Sequence, residues 1–168
     1  GEVLVPAYSK GSSTYRRFTA AMEAAGIQTT ALTETLTFEL DRAQYTVYPP
    51  ERTSYPNNED NEYSLIVGVT HGENRFLFAG DALTERLGEF TALGEGTYDF
   101  LKVSNHGDYF EGVEAFFRAV SPKYAAITCS DKNPADARTV SALEAVGAQV
   151  FLTRDGSVKV TSDGRTIS

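Results

Sequence analysis

At 168 residues, 41% hydrophobic and 23% charged, the chain has the size and make-up of one globular domain spanning residues 1–168. No run approaches the roughly 18 consecutive apolar residues of a membrane span, and the start lacks the basic-then-apolar pattern of a signal peptide. Fifteen basic against 23 acidic residues give a net charge of −8, so any nucleic-acid contact would have to be local or metal-assisted.

Residues 2–5 read as a short apolar strand ending at Pro6. Ser12 or Ser13 can cap a helix running to Ala25, with Tyr15, Phe18, Met22 and Ala25 at helical spacing and Gly26 just past its end. Strand-type stretches follow at Ile27–Leu32, Leu36–Leu40 and Tyr45–Tyr48, closed by Pro49-Pro50. The polar stretch Glu51–Glu62, with Pro56, Asn57, Asn58, Asp60 and Asn61, reads either as a solvated connection or as a substrate-facing loop. A hairpin then pairs Ser64–Thr70 with Arg75–Ala79 through His71-Gly72-Glu73-Asn74, where His71 reads as an exposed turn residue.

A short helix from about Ala82 to Phe90 leads to a strand at Phe100–Val103, and a helix presents Phe110, Val113, Phe116, Phe117 and Val120 on one face. Pro122 stops it before a strand at Tyr124–Cys129. The single Cys129 reads as a small buried thiol and leaves the redox compartment open. Asn133 as cap and Pro134 at the first position start a last helix, which ends at Gly147. Two strands, Gln149–Thr153 and Val158–Thr161, turn at Asp155-Gly156. The fold class expected is α/β, a mixed sheet with helices on one face.

The sequence contains no GxSxG elbow, no GxxxxGK[ST] loop and no GxGxxG. Two strand-end turns remain as candidate sites. Asp81 emerges after Phe76–Ala79 through Gly80, and Ser104-Asn105-His106-Gly107 follows Phe100–Val103. Ligands in α/β sheets gather beyond the C-terminal strand ends, and a carboxylate with an imidazole can hold a divalent metal. On spacing alone an Asp in this place is more often a helix N-cap, and a lone His more often a satisfied structural residue.

The runs Asn61-Glu-Tyr-Ser64-Leu-Ile-Val, Phe76-Leu-Phe-Ala-Gly80-Asp81 and Asp99-Phe-Leu-Lys102-Val-Ser-Asn-His106-Gly107 carry a further signal. They resemble the metallo-β-lactamase superfamily, and within it the ComEC-like hydrolases. Pro122-Lys123-Tyr124 through Cys129, Val150 through Gly156, Val5-Pro6-Ala-Tyr8-Ser-Lys10 and Tyr48-Pro49-Pro50 extend the likeness along nearly the whole chain. The resemblance implies an αββα sandwich, incomplete at its N-terminus, with zinc (or manganese) at one edge activating water against a phosphodiester or ester-like bond. It implies Asp81 and His106 as metal ligands, with Asn61, Lys102, Asn105 and Asn133 lining the site. A small-molecule or nucleic-acid phosphodiester is the implied substrate, and association with the cell surface the implied setting.

Three departures bear on activity. The HxHxDH signature is missing; Asn105-His106 stands where the family has paired histidines; and Asn133-Pro134-Ala135-Asp136 replaces a Gly-His-Pro segment. Two ligands fall short of the three that catalytic zinc takes, so this chain alone is expected to be inactive. Two explanations stay open: a C-terminal half whose upstream part carries HxHxDH, which the lone leading Gly favours, or a degenerate binding or structural module, which the internal replacements favour. In the first case an uncovered sheet face invites homodimerisation.

Overall fold

The computed structural model describes residues 1–8, 11–56 and 59–168. The expectations placed on Lys10, Asn57 and Asn58 lie outside the described residues. Strand β1 (Glu2–Pro6), helix α1 (Ser13–Ala24) and strand β2 (Gln28–Leu32) form a unit in which β1 and β2 pair in parallel. Ser12 caps α1 by accepting from the Tyr15 amide at 3.1 Å, and Gly26 follows it at φ +63°, both as the sequence predicts.

The rest of the chain builds a seven-stranded sheet in chain order. Its strands are β3 (Leu36–Leu40), β4 (Ala43–Tyr48), β5 (Ile66–His71), β6 (Asn74–Phe78), β7 (Phe100–Lys102), β8 (Tyr124–Ile127) and β9 (Gln149–Leu152). Neighbours from β3 to β6 are antiparallel; from β6 to β9 they are parallel. The connections explain the switch. Tight turns or a returning loop join the first four strands, whereas α2 (Thr84–Ala92), α3 (Val113–Val120) and α4 (Ala137–Ala145) carry the chain back between the others.

These helices cover one face of the sheet. Leu77, Leu101, Ala125 and Ile127 point into them and meet Leu87, Phe90, Phe116, Phe117 and Leu143 in a core that excludes solvent almost completely. The residues between them, Phe76, Phe78, Phe100, Tyr124 and Phe151, line the opposite face together with Tyr45 and Val69. Phe38 and Phe78 there are 39% and 41% exposed. No helix among the described residues is long and apolar enough to cross a membrane.

Four local expectations need correction. Val158–Thr161 is not a strand. After a 3-10 turn at Thr153–Asp155 the tail crosses the aromatic face, laying Val158 and Val160 beside Phe100, where their alternation places both apolar side chains against the rings. His71 is not a bystander: its Nδ1 lies 3.0 Å from Ser162 Oγ, and the neighbouring Glu73 amide donates to Gly164 O at 2.7 Å, fastening the tail. Helix α4 begins after Asp136, whose carboxylate accepts from the Arg138 amide at 2.8 Å, and not at Asn133-Pro134. The Asp136 amide donates to Gly107 O at 3.0 Å, which holds residues 130–135 as a loop. Phe110 packs on the core from outside α3.

Candidate functional site

Strands β6 and β7 are parallel neighbours, with Phe78 opposite Lys102, so the turns that follow them emerge on one edge of the sheet. Gly80, at φ +59°, reverses the chain beside Ser64 and releases Asp81. After β7, Asn105, His106 and Gly107 take three successive left-handed conformations, at φ 42°, 54° and 83°. At Gly107 a Cβ would lie 2.6 Å from Ile127 Cγ2, so only glycine fits. The carbonyl of Gly80 ties the turns together by accepting from the Asn105 amide at 3.2 Å and from Lys102 Nζ at 3.1 Å.

His106 Nε2 stands 3.6 Å from Asp81 Oδ1. On its other side Nδ1 lies 2.8 Å from the carbonyl oxygen of Thr128, which can only accept, so Nδ1 carries the proton. His106 therefore turns Nε2 toward a carboxylate, and in the neutral ring that nitrogen is the unprotonated one. Two acceptors at this separation are stabilised only by a proton or a cation between them. Both side chains are exposed enough for one to enter, at 58% and 43%. The pair fits two ligands of a divalent cation, and the carbonyl bond orients the imidazole as second partners of metal-bound histidines do. Among the described residues no group of three His, Cys, Asp or Glu side chains could hold a metal, so the pair fits only part of a catalytic centre.

The other expected lining residues divide. Asn105 is held by other partners: its side-chain oxygen accepts from Asn61 Nδ2 at 3.3 Å, and its Nδ2 donates to Asp108 at 3.3 Å. Asn61 thus reaches the site through Asn105. Lys102 stands 3.9 Å from Asp81 Oδ1, and burial lowers its pKa while Asp81 opposes that shift. Asn133 is exposed and closes its own turn with Ser130, giving its carbonyl to the Ser130 amide at 3.0 Å.

Asp81 does not cap α2. That task falls to Glu62, fully buried, whose two carboxylate oxygens accept from the Glu85 and Arg86 amides at 3.2 and 2.9 Å. Arg86, 1% exposed, donates to the carbonyls of Ser64 and Tyr48 at 3.0 and 2.7 Å and pairs with Glu89 at 3.4 Å. Ser64 Oγ in turn accepts from the Asp81 amide at 3.3 Å. A buried charged network therefore sets the position of the Asp81 turn. Sequence reasoning missed Ser64, Glu62, Arg86 and Thr128. Only Thr128 left a usable sign, as a polar residue just past the next parallel strand.

No family model matches the chain, and no curated protein matches it in sequence. Among solved structures the chain is similar to a mutant of CmlA beta-hydroxylase, with a TM-score of 0.56 at 12% identity over 90% of this chain. The chain spans 38% of the length of that protein. At this identity the likeness speaks for fold alone, and the fold is an α/β sandwich of the metallo-β-lactamase type.

Proposed function

We propose that this chain contributes Asp81 and His106 as two ligands of a divalent-cation centre in a metallo-β-lactamase-fold hydrolase of the ComEC-like kind, completed by groups that lie outside it. The observation that carries this reading is the facing of Asp81 Oδ1 and His106 Nε2 at 3.6 Å while Thr128 O occupies the other imidazole nitrogen. The ComEC-like assignment rests on the sequence runs around these residues. When bound, a cation such as zinc lowers the pKa of a coordinated water to about 7 and supplies hydroxide at neutral pH for attack on a phosphodiester or ester-like bond. The chain's own residues prepare that centre. Thr128 holds the imidazole tautomer, Ser64 and Arg86 hold the Asp81 turn, and Gly80 O keeps the two turns together.

A second reading has its own support. Lys102 Nζ at 3.9 Å from Asp81 Oδ1 partly balances the carboxylate without a metal, as expected of a degenerate module of the same fold. Metal analysis of the longest natural chain, together with Asp81→Ala, tests the choice. The hydrolase reading expects at least about one equivalent of zinc or manganese, reduced by the substitution, since three protein ligands are usual for a catalytic site. Less than about half an equivalent, with no HxHxDH segment in that chain, would leave the degenerate module.

A further inference from the structure

We infer that Lys102 is the residue through which this edge of the sheet holds a phosphoryl oxyanion. The ammonium has three N–H donors, and among the described residues it meets one acceptor within hydrogen-bond distance, Gly80 O at 3.1 Å. Asp81 Oδ1, at 3.9 Å, is beyond that reach. The side chain is 21% exposed, so most of its stem is covered by its neighbours. Three other cations of the fold are already committed to carboxylates. Lys123 sits 2.6 Å from Asp99, Arg138 2.7 Å from Asp136 and Arg52 2.7 Å from Glu85.

The neighbouring amides are partly spent, since Asn61 Nδ2 and Asn105 Nδ2 each give one of their two N–H donors, to Asn105 and Asp108 respectively. Lys102 therefore offers unspent charge-assisted donors beside the Asp81–His106 pair, in a chain whose net charge of −8 repels anions elsewhere. A lysine serves phosphate as a point charge, whereas carboxylates favour the two-pronged arginine. The inference rests on the proposed cation centre only for which bond the held group presents: a phosphoester, with one oxygen on Lys102 and the phosphorus facing the pair.

Calorimetric titration of the full chain with inorganic phosphate, with acetate in parallel, tests this on the wild type, Lys102→Arg and Lys102→Met. A separate manganese titration is run without phosphate. Phosphate affinity is expected to fall at least about tenfold in Lys102→Met and to stay within about threefold in Lys102→Arg, with acetate weaker throughout. Manganese affinity is expected to be unchanged or higher in Lys102→Met. Equal phosphate affinity in wild type and Lys102→Met overturns the inference, as does no wild-type binding up to about 10 mM phosphate. A parallel loss of manganese affinity in Lys102→Met assigns the residue to holding the turns and also overturns it. If the wild type binds phosphate through Lys102 but no manganese, the oxyanion site stands and the cation reading falls.

Discussion

Replacing Gly107 by alanine, with Gly147→Ala as its partner, isolates the packing that shapes the His106 turn. Both glycines are left-handed, at φ +83° and +89°, so both substitutions incur the same backbone penalty of about 1–2 kcal/mol. Space separates them. A Cβ on Gly147 would meet nothing within 4 Å, whereas one on Gly107 would lie 2.6 Å from Ile127 Cγ2 and 3.1 Å from Ala135 Cβ. Ile127 is fully buried in the core and cannot retreat, so overpacking adds about 1–3 kcal/mol at Gly107 alone. Urea unfolding should therefore show Gly107→Ala losing about 2–5 kcal/mol against about 1–2 for Gly147→Ala, with unchanged m-values. Because Gly107 O also receives the Asp136 amide, the loss should come with chemical-shift changes at His106 and at the start of α4. Equal losses in the two variants, within about 0.5 kcal/mol, would refute the steric account of this turn.

Arg86→Met should cost about 3–5 kcal/mol by chemical denaturation, since it leaves buried Glu89 with only the half-exposed Arg52, at 3.5 Å, as a cation and two carbonyls without their donor. Adding Glu89→Gln should recover part of that loss, and a single-variant cost below about 1 kcal/mol would contradict the clamp. Asp99 gives a pH-dependent case. Burial works to raise its pKa, but bonds from Lys123 Nζ at 2.6 Å and the Arg75 amide at 2.8 Å outweigh burial and hold it below the ordinary value. The folded carboxyl thus binds its proton more weakly than the unfolded one. Its contribution is fully present above the unfolded pKa of about 3.9 and is lost as pH falls through the lower folded value. Asp99→Asn should be less stable than wild type by about 1–3 kcal/mol at pH 7, with the gap closing below about pH 4; a gap constant from pH 7 to 2 would count against the ion-paired role.

The sequence by itself determined those features whose causes lie within a few residues. Ser12 and Gly26 bound α1, the stretch Leu36–Leu40 pairs as β3, and Gly80-Asp81 and Asn105-His106-Gly107 stand at strand ends because small residues there permit the sharp turns. The placement of Asp81 and His106 on one edge also followed, since helices between strands dictate parallel neighbours. Tertiary structure alone decided the rest. Glu62 caps a helix that starts 22 residues further on, and Asp136 rather than Asn133 begins α4 because its amide is held by Gly107. His106 faces Asp81 because a carbonyl just past the end of the next strand, that of Thr128, holds the imidazole, while Asn105 is bonded to Asn61 and Asp108. His71, an unremarkable turn residue by sequence, acquires its partner 91 positions away where the tail crosses the sheet. Local propensity acts through neighbours along the chain, whereas a buried charge or an oriented imidazole depends on which distant groups the sheet order brings within hydrogen-bond reach.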